Sequence, residues 1–346
     1  SRRGRPPSAP EYDARPGVMG MVQAPVASLS LDLDNQWSYM KIHGDAGWER
    51  YPSYLDVVVP RAIDLLGSLG LRVTVFVVGQ DAALAKNRAS ISALAEAGHE
   101  IGNHSFRHEP WLDRYSEPEM HDELGRAEDA IEDVTGVIPR GFRGPGYALS
   151  KTAVRVLIAR GYEYDASTLP TVVGPLARAY YFRTARLTEA ERAERSTLYG
   201  SWQDGLRPIT PYRWTVGSHT LVELPVTTFP VLRLPIHMSY IVKLSSYSAA
   251  AAARYFDAAI RFCRAKSIGP SILLHPLDLI SSTDVSGLDF FPGMSIPVLQ
   301  KLEWVAAACE RLARAFDVVP LGEHVARVAR TNLPVRSADV LAGAAA

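Results

Sequence analysis

Two histidines four residues apart, His104 and His108 in GHEIGNHSFRH, are where chemistry first suggests itself in this chain of 346 residues. In a turn of helix or a tight helical loop, positions i and i+4 share a face with Cβ atoms about 5–6 Å apart, so both imidazoles reach one ion. Two nitrogens alone do not make a site. Asp32 and Asp34 in SLDLDNQW add two carboxylates at i and i+2, which point to the same side of a regular strand. One can bind metal while the other stays free. A divalent ion held by one carboxylate and two imidazoles keeps positions open for water and substrate, the catalytic rather than the closed structural arrangement. Such an ion lowers the pKa of its water toward about 7, and a neighbouring carboxylate then accepts the proton during attack.

Three further residues extend the pattern. His275 closes the apolar run ILLHP and is a candidate general acid. Asp165 ends YEYDAS; if it meets His275 it fixes the ring's tautomer and keeps it protonated. Arg143 in FRGPGY has the guanidinium fork that grips a carboxylate, and Pro145 with Gly146 sets a turn that lets backbone approach a ligand. Trp111, Pro145 and Tyr147 are the substrate-binding candidates, with a backbone N–H near Tyr147 as the expected oxyanion donor. Each residue also has an ordinary reading: a turn or cap aspartate, a surface arginine, a structural histidine. His99, which precedes a short strand and has no motif partner, is read as structural.

These residues need a scaffold that brings five separated segments together. VASLSLDLD reads as a buried strand, YLDVVVPRAIDLLGSLG as a helix stopped by Gly70, and RVTVFVVG as a second strand, which makes a βαβ unit. The alternation continues through strands at HEIG, 139–142 and YEYDAS, with helices between them, and resumes at LVELPV, SILLHP and DVVP. Strands alternating with helices imply an α/β fold with a largely parallel sheet, either open or closed as a barrel, and site residues where strands end. Residues 169–218 break the rhythm and read as an insertion, with a helix over 188–197 and with Tyr180, Tyr181, Phe182, Trp202, Tyr212 and Trp214. Arg178, Arg183 and Arg186 interleave with those aromatics, a mixture suited to a membrane interface or a polyprenyl-phosphate sugar, or else to a solvated basic face with its aromatics packed inward. The expected organisation is a tail over 1–24, one domain over 25–330 and a second tail over 331–346.

Composition narrows the classes. Lys plus Arg and Asp plus Glu both number 37, so there is no basic footprint and nucleic acid is not an expected partner. No apolar run approaches the roughly 18 residues of a membrane span, and nothing resembling a secretory leader opens the sequence, so a cytoplasmic protein is expected, with the inner membrane face as a peripheral site. The two cysteines, Cys263 and Cys309, lie on helical patterns and are read as buried apolar residues rather than metal ligands.

The five motifs, in this order, resemble the polysaccharide deacetylase family, also called the NodB-homology or carbohydrate esterase family 4 group, over about residues 26–320. SLDLD departs from the family's Thr-Phe-Asp-Asp by a residue between the acids. That spacing is similar to the branch of peptidoglycan deacetylases and lipid-linked aminoarabinose deformylases. The resemblance implies a distorted, incomplete (β/α) barrel. It makes Asp32 the general base, Asp34, His104 and His108 the metal ligands, Arg143 the group that orients Asp32, and His275 the general acid. YDAS lacks the family's usual tryptophan but would place Asp165 beside the acid. The implied activity is metal-dependent hydrolysis of an N-acetyl or N-formyl amide on an amino sugar, with zinc as the expected ion and cobalt, nickel, manganese or iron as alternatives. Two rivals are a metal-independent allantoinase-like amidohydrolase and a non-catalytic carbohydrate-binding relative.

Overall fold

Strand β1, Val26–Leu33, shows how the sequence builds the scaffold. Its residues alternate between two faces: Ala27, Leu29, Leu31 and Leu33 join the main apolar core, whereas Ser28, Ser30 and Asp32 are buried on the opposite, polar face. The apolar face packs against the outer helices, including Leu55–Ser68 through Val58, Val59 and Leu66 and Ala249–Ala265 through Phe256, Ala259 and Cys263. The polar face is left to line the interior of the sheet.

The computed structural model describes residues 24–185, 187–194 and 204–341. Besides β1 the strands are β2 Thr74–Val77, β3 Glu100–Asn103, β4 Gly141–Phe142, β5 Tyr164–Asp165, β6 Tyr212–Val216, β7 His219–Glu223, β8 Ser271–Leu274, β9 Asp317–Val319 and β10 Val335–Ser337. Seven of them run parallel in the order β7-β5-β4-β3-β2-β1-β8. No ladder joins β8 to β7. Instead the chain just after β7 meets the start of β8: Thr227 N donates to Ser271 O at 2.9 Å, and Ser271 N donates to Thr227 Oγ1 at 2.8 Å. These two bonds complete the ring where a ladder is missing, and β4 and β5 are two residues long. The result is the distorted, incomplete (β/α) barrel that the family resemblance implies. Strand β9 pairs with the first three residues of β1.

Helix Glu117–Thr135 is bounded by a reciprocal Ser116–Glu119 capping box and by Gly136 in the left-handed region. Lys151–Ala159 begins at Ser150, whose hydroxyl accepts from Ala153 N, and Val298–Ala315 covers the same residues as its apolar period. No helix among the described residues is long and apolar enough to cross a membrane.

Two boundaries differ from expectation. The insertion does not run to 218, because Tyr212–Val216 is β6, antiparallel to β7, with Tyr212 and Trp214 buried in a satellite core. Period-2 burial of large aromatics makes this a sheet strand rather than a lid. The C-terminal tail does not begin at 331 either: β10 pairs with β6, and Ala338 and Leu341 are buried beside Trp214. Residues 1–23 and 342–346 of the expected tails lie outside the described residues, as do Trp202 and Arg186. Of the expected helix 188–197, the described part is Glu189–Glu194. Cys263 and Cys309 are free and buried.

Candidate active site

All five motifs lie at the C-terminal ends of the parallel strands, where loops converge over the barrel mouth. At the end of β1 the chain turns, with Asp34 N donating to Asp32 O at 2.9 Å, so Asp34 lies just beyond the strand rather than on it. The loop behind it is clamped by Asp81, a buried carboxylate that accepts from Asn35 Nδ2 at 2.7 Å, Trp37 Nε1 at 3.1 Å and Asn87 Nδ2 at 3.0 Å. Burial raises the Asp81 carboxyl to about 6 despite those donors. Tyr54 Oη donates to Asp34 O at 2.6 Å.

The segment 104–108 is not a helical turn. Ser105 and His108 both have positive φ, 63° and 54°, so the loop doubles back and brings the two rings to 5.0 Å between centroids. Left-handed backbone at a non-glycine residue costs about 1–2 kcal/mol. Surrounding bonds enforce it: Asn103 Oδ1 accepts from Ser105 N, Ser105 Oγ from His108 N, and Glu123 Oε1 from both Phe106 N and Arg107 N. Glu123 is fully buried on helix Glu117–Thr135, and nothing in its sequence context set it apart from a surface glutamate.

One ligand atom each from Asp34, His104 and His108 lies within 4.8 Å of the other two. His108 Nε2 is 2.9 Å and His104 Nε2 3.3 Å from Asp34 Oδ1. Neighbouring donors around an ion with bonds of about 2.0–2.2 Å lie about 3–3.5 Å apart, so the spacing fits one divalent ion. Among the described residues, Asp34 Oδ1 and both nitrogens of His108 are buried without a hydrogen-bond partner. Such orphans are costly unless something else satisfies them. His104 Nδ1 is 2.6 Å from Arg143 O, so it carries the proton and leaves Nε2 bare to coordinate. Burial alone would raise the Asp34 carboxyl, but His108 and His104 hold it well below its ordinary value, in the form that binds a cation.

Asp32 stands beside this cluster, 4% exposed, with Arg143 Nη1 donating to its Oδ1 at 2.7 Å. Arg143 is itself fully buried and fixed from three sides, through Ser30 Oγ at 2.8 Å, Ala166 O at 3.0 Å and the face of Phe76 at 4.4 Å. A guanidinium held this firmly positions the carboxylate.

The turn after Arg143 uses Gly144, where a Cβ would lie 2.1 Å from Ala148 O, and Gly146 at φ 58°. Pro145 is buried in that turn, and Tyr147 faces the site: burial and then the charge of Asp32 raise its hydroxyl. Its backbone N–H is not free for an oxyanion, since it donates to Gly144 O at 3.0 Å, and Ala148 N donates to Pro145 O. The turn consumes the donor that the sequence offered. Trp111 is half-buried before the turn Leu112–Arg114.

Asp165 and His275 do not form the pair expected. Asp165 lies opposite Glu223 in the β5–β7 register, accepts from Ser167 Oγ, and has Glu223 and Arg143 as its charged neighbours. Burial, and then the Asp165 charge, raise Glu223 well above the carboxylate range. The glutamate in the apolar run LVELPV was the overlooked signal. The carboxylate facing His275 is Asp278, three residues on, whose Oδ2 accepts from His275 N at 2.9 Å. Ser239 Oγ lies 3.3 Å from His275 Nδ1 and also bonds Asp278, bridging ring and carboxylate. Lys301, 1% exposed, fastens this loop by donating to Leu277 O at 2.8 Å and Ile280 O at 2.6 Å. His237 packs 5.8 Å from the His275 ring, and burial followed by His275 lowers it to about 3, so it stays neutral. His99 accepts from Val73 N at 3.3 Å, a structural contact.

A parallel α/β barrel with one carboxylate and two imidazoles converging at its mouth, beside a second carboxylate gripped by arginine, defines a class of hydrolase-like sites. Comparison with known proteins narrows it: residues 44–164 match the polysaccharide deacetylase family, as the motifs indicated. The matched segment contains His104, His108 and Arg143, whereas Asp32, Asp34, Asp165 and His275 lie outside it. The peptidoglycan deacetylase of Helicobacter pylori is 28% identical over 128 residues, 37% of this chain and 41% of that protein. A peptidoglycan-N-acetylglucosamine deacetylase of Listeria monocytogenes is 31% identical over 94 residues, 27% of this chain and 20% of its own length. The chain thus spans less than half of either relative. A crystal structure of a Mycobacterium smegmatis protein superposes with a TM-score of 0.55 at 21% identity. It covers 90% of this chain and 96% of that one, a likeness of fold.

Proposed function

We propose that this protein is a divalent-metal-dependent hydrolase of an N-acyl amide on an amino sugar. The observation that carries this reading is the buried convergence of Asp34, His104 and His108 next to Asp32, a carboxylate that the ligand set leaves uncommitted. Asp34, His104 and His108 would hold the ion, zinc by the chemistry of the donor set, which when bound supplies Lewis acidity toward the acyl carbonyl and acidifies water. Asp32 accepts the proton of the attacking water, its orientation set by Arg143. His275 delivers a proton to the leaving nitrogen, so that the C–N bond breaks to a free amine and a carboxylate. Its Nδ1 is held by Ser239, with Asp278 as the counter-charge. Asp165 with Glu223 supports Arg143 from the far side rather than the acid.

The test is incubation with N-acetyl and N-formyl amino sugars, free, polymer-linked and lipid-linked, with assay of released acid before and after chelation and readdition of zinc. Turnover that survives complete metal removal would favour the allantoinase-like reading and overturn this one.

A further inference from the structure

The strongest feature outside the polar machinery is a cavity of about 670 Å³ that opens beside it. Its wall starts at both catalytic corners. Tyr39, on helix Gln36–His43, has its hydroxyl raised by burial and then by the Asp34 charge, and Tyr240 packs edge-on against His237 at 4.5 Å, next to His275. From there the lining among the described residues is almost wholly apolar, with Leu176, Ala177 and Leu244 contributing aliphatic surface and Phe291 closing against Tyr39 at 4.9 Å.

Beyond Tyr39, whose buried hydroxyl has no hydrogen-bond partner among the described residues, three polar groups along this wall are already engaged elsewhere. Tyr181 Oη donates to Ile42 O at 2.5 Å, Tyr255 Oη donates to Pro235 O at 3.0 Å, and His43 Nδ1 is paired with Asp45. What these side chains offer the cavity is ring and methylene. A sugar buried here would meet only the Tyr39 and Tyr240 hydroxyls and would leave most of its own hydroxyls without partners, a cost of about 1–3 kcal/mol for each. A space of this size and character suits a hydrocarbon chain. Because the wall begins at the residues flanking the reacting groups, the chain it takes is joined to the reacting carbonyl carbon, not to the remote end of the sugar. Helix Gly174–Thr184 of the insertion forms one side, which assigns that segment a purpose as a wall.

Building on the hydrolase reading above, we infer that the cavity is an acyl-chain pocket and that the favoured substrates are amino sugars bearing a medium-length or long N-acyl chain. Water adds to the acyl carbon, the C–N bond breaks with proton transfer to nitrogen, and the products are a fatty carboxylate and the free amino sugar.

The experiment compares kcat/KM for N-acetyl-, N-hexanoyl- and N-dodecanoyl-glucosamine with that for octyl and methyl glycosides of N-acetylglucosamine, following free amine. A buried methylene contributes up to about fourfold. We expect kcat/KM to rise at least about tenfold from acetyl to hexanoyl and to differ less than about threefold between the two glycosides. Leu244→Trp should flatten the acyl series. Leu176→Arg, at a position 71% exposed where folding is not at stake, should reduce the hexanoyl-to-acetyl ratio at least about fivefold. A flat acyl series in an active enzyme, or a preference that follows the glycoside chain, overturns the pocket assignment. Fluorescence of N-phenyl-1-naphthylamine with the chelated protein separates the two readings. Binding lost in Leu176→Arg supports the pocket even if no amide is hydrolysed, whereas absence of binding overturns it.

Discussion

The β1–β3–β4 side of the barrel mouth and the β7–β8 side hold their catalytic candidates by different means. On the first, backbone or buried charge fixes the groups around the candidate ion site: His104 by Arg143 O, the 104–108 loop by Glu123, and Asp32 by a guanidinium itself bonded on three sides. On the second, His275 is half-buried and hangs on Ser239, Asp278 and a loop fastened by Lys301, beside a large apolar cavity. The rigid side suits an ion, whose ligand geometry tolerates little error. The looser, greasier side suits a substrate group that must enter and leave.

The largest expected effects fall on the rigid side. Asp34→Ala or His104→Ala should remove bound metal, read by elemental analysis, and lower kcat by at least about a thousandfold. Retained stoichiometric metal in either variant would dissolve the distinction between the two sides. Asp32→Asn should keep metal while kcat falls by about 10²–10⁴, the range of a lost general base; an active Asp32→Asn enzyme would remove the mechanism. On the looser side, Asp278→Asn should reduce kcat by about tenfold with metal content unchanged, as expected for a counter-charge acting through His275. Asp165→Asn is the sharpening control, because a larger loss there than at position 278 would restore the pairing that the motif order suggested.

Two smaller effects concern stability. Glu123→Ala should cost about 2–3 kcal/mol by leaving the N–H groups of Phe106 and Arg107 without their charged acceptor, seen as a lower Tm with early loss of metal affinity. Burial lowers Lys301 to about 8, against about 10.4 in an unfolded chain. Between those values the unfolded state binds more protons, so stability rises with pH from about 8 to 10, by about 1–2 kcal/mol. Lys301→Met should flatten that rise in chemical denaturation at pH 7.5 and 10.

The motifs Asp32/Asp34, His104/His108, Arg143 and His275 were legible because each closes a short apolar run, and parallel strands deliver their ends to one mouth. Spacing could not show that 104–108 is a doubled-back loop, since a histidine at positive φ is tolerated only under bonds from Asn103, Ser105 and Glu123. Nor could it choose between Asp165 and Asp278 for His275, because both end strands or loops at the same rim. Register decided it, setting Asp165 opposite Glu223.

By itself, then, the sequence determined the alternating elements, a largely parallel sheet and the residue types where its strands end, because these follow from local periodicity, while closure of that sheet into a barrel was expected only from the family resemblance. Tertiary structure alone decided which carboxylate answers which cation, where β6 and β10 extend the sheet, and that an apolar chamber stands next to the polar site. Those outcomes depend on distances between segments up to hundreds of residues apart, which local pattern does not encode.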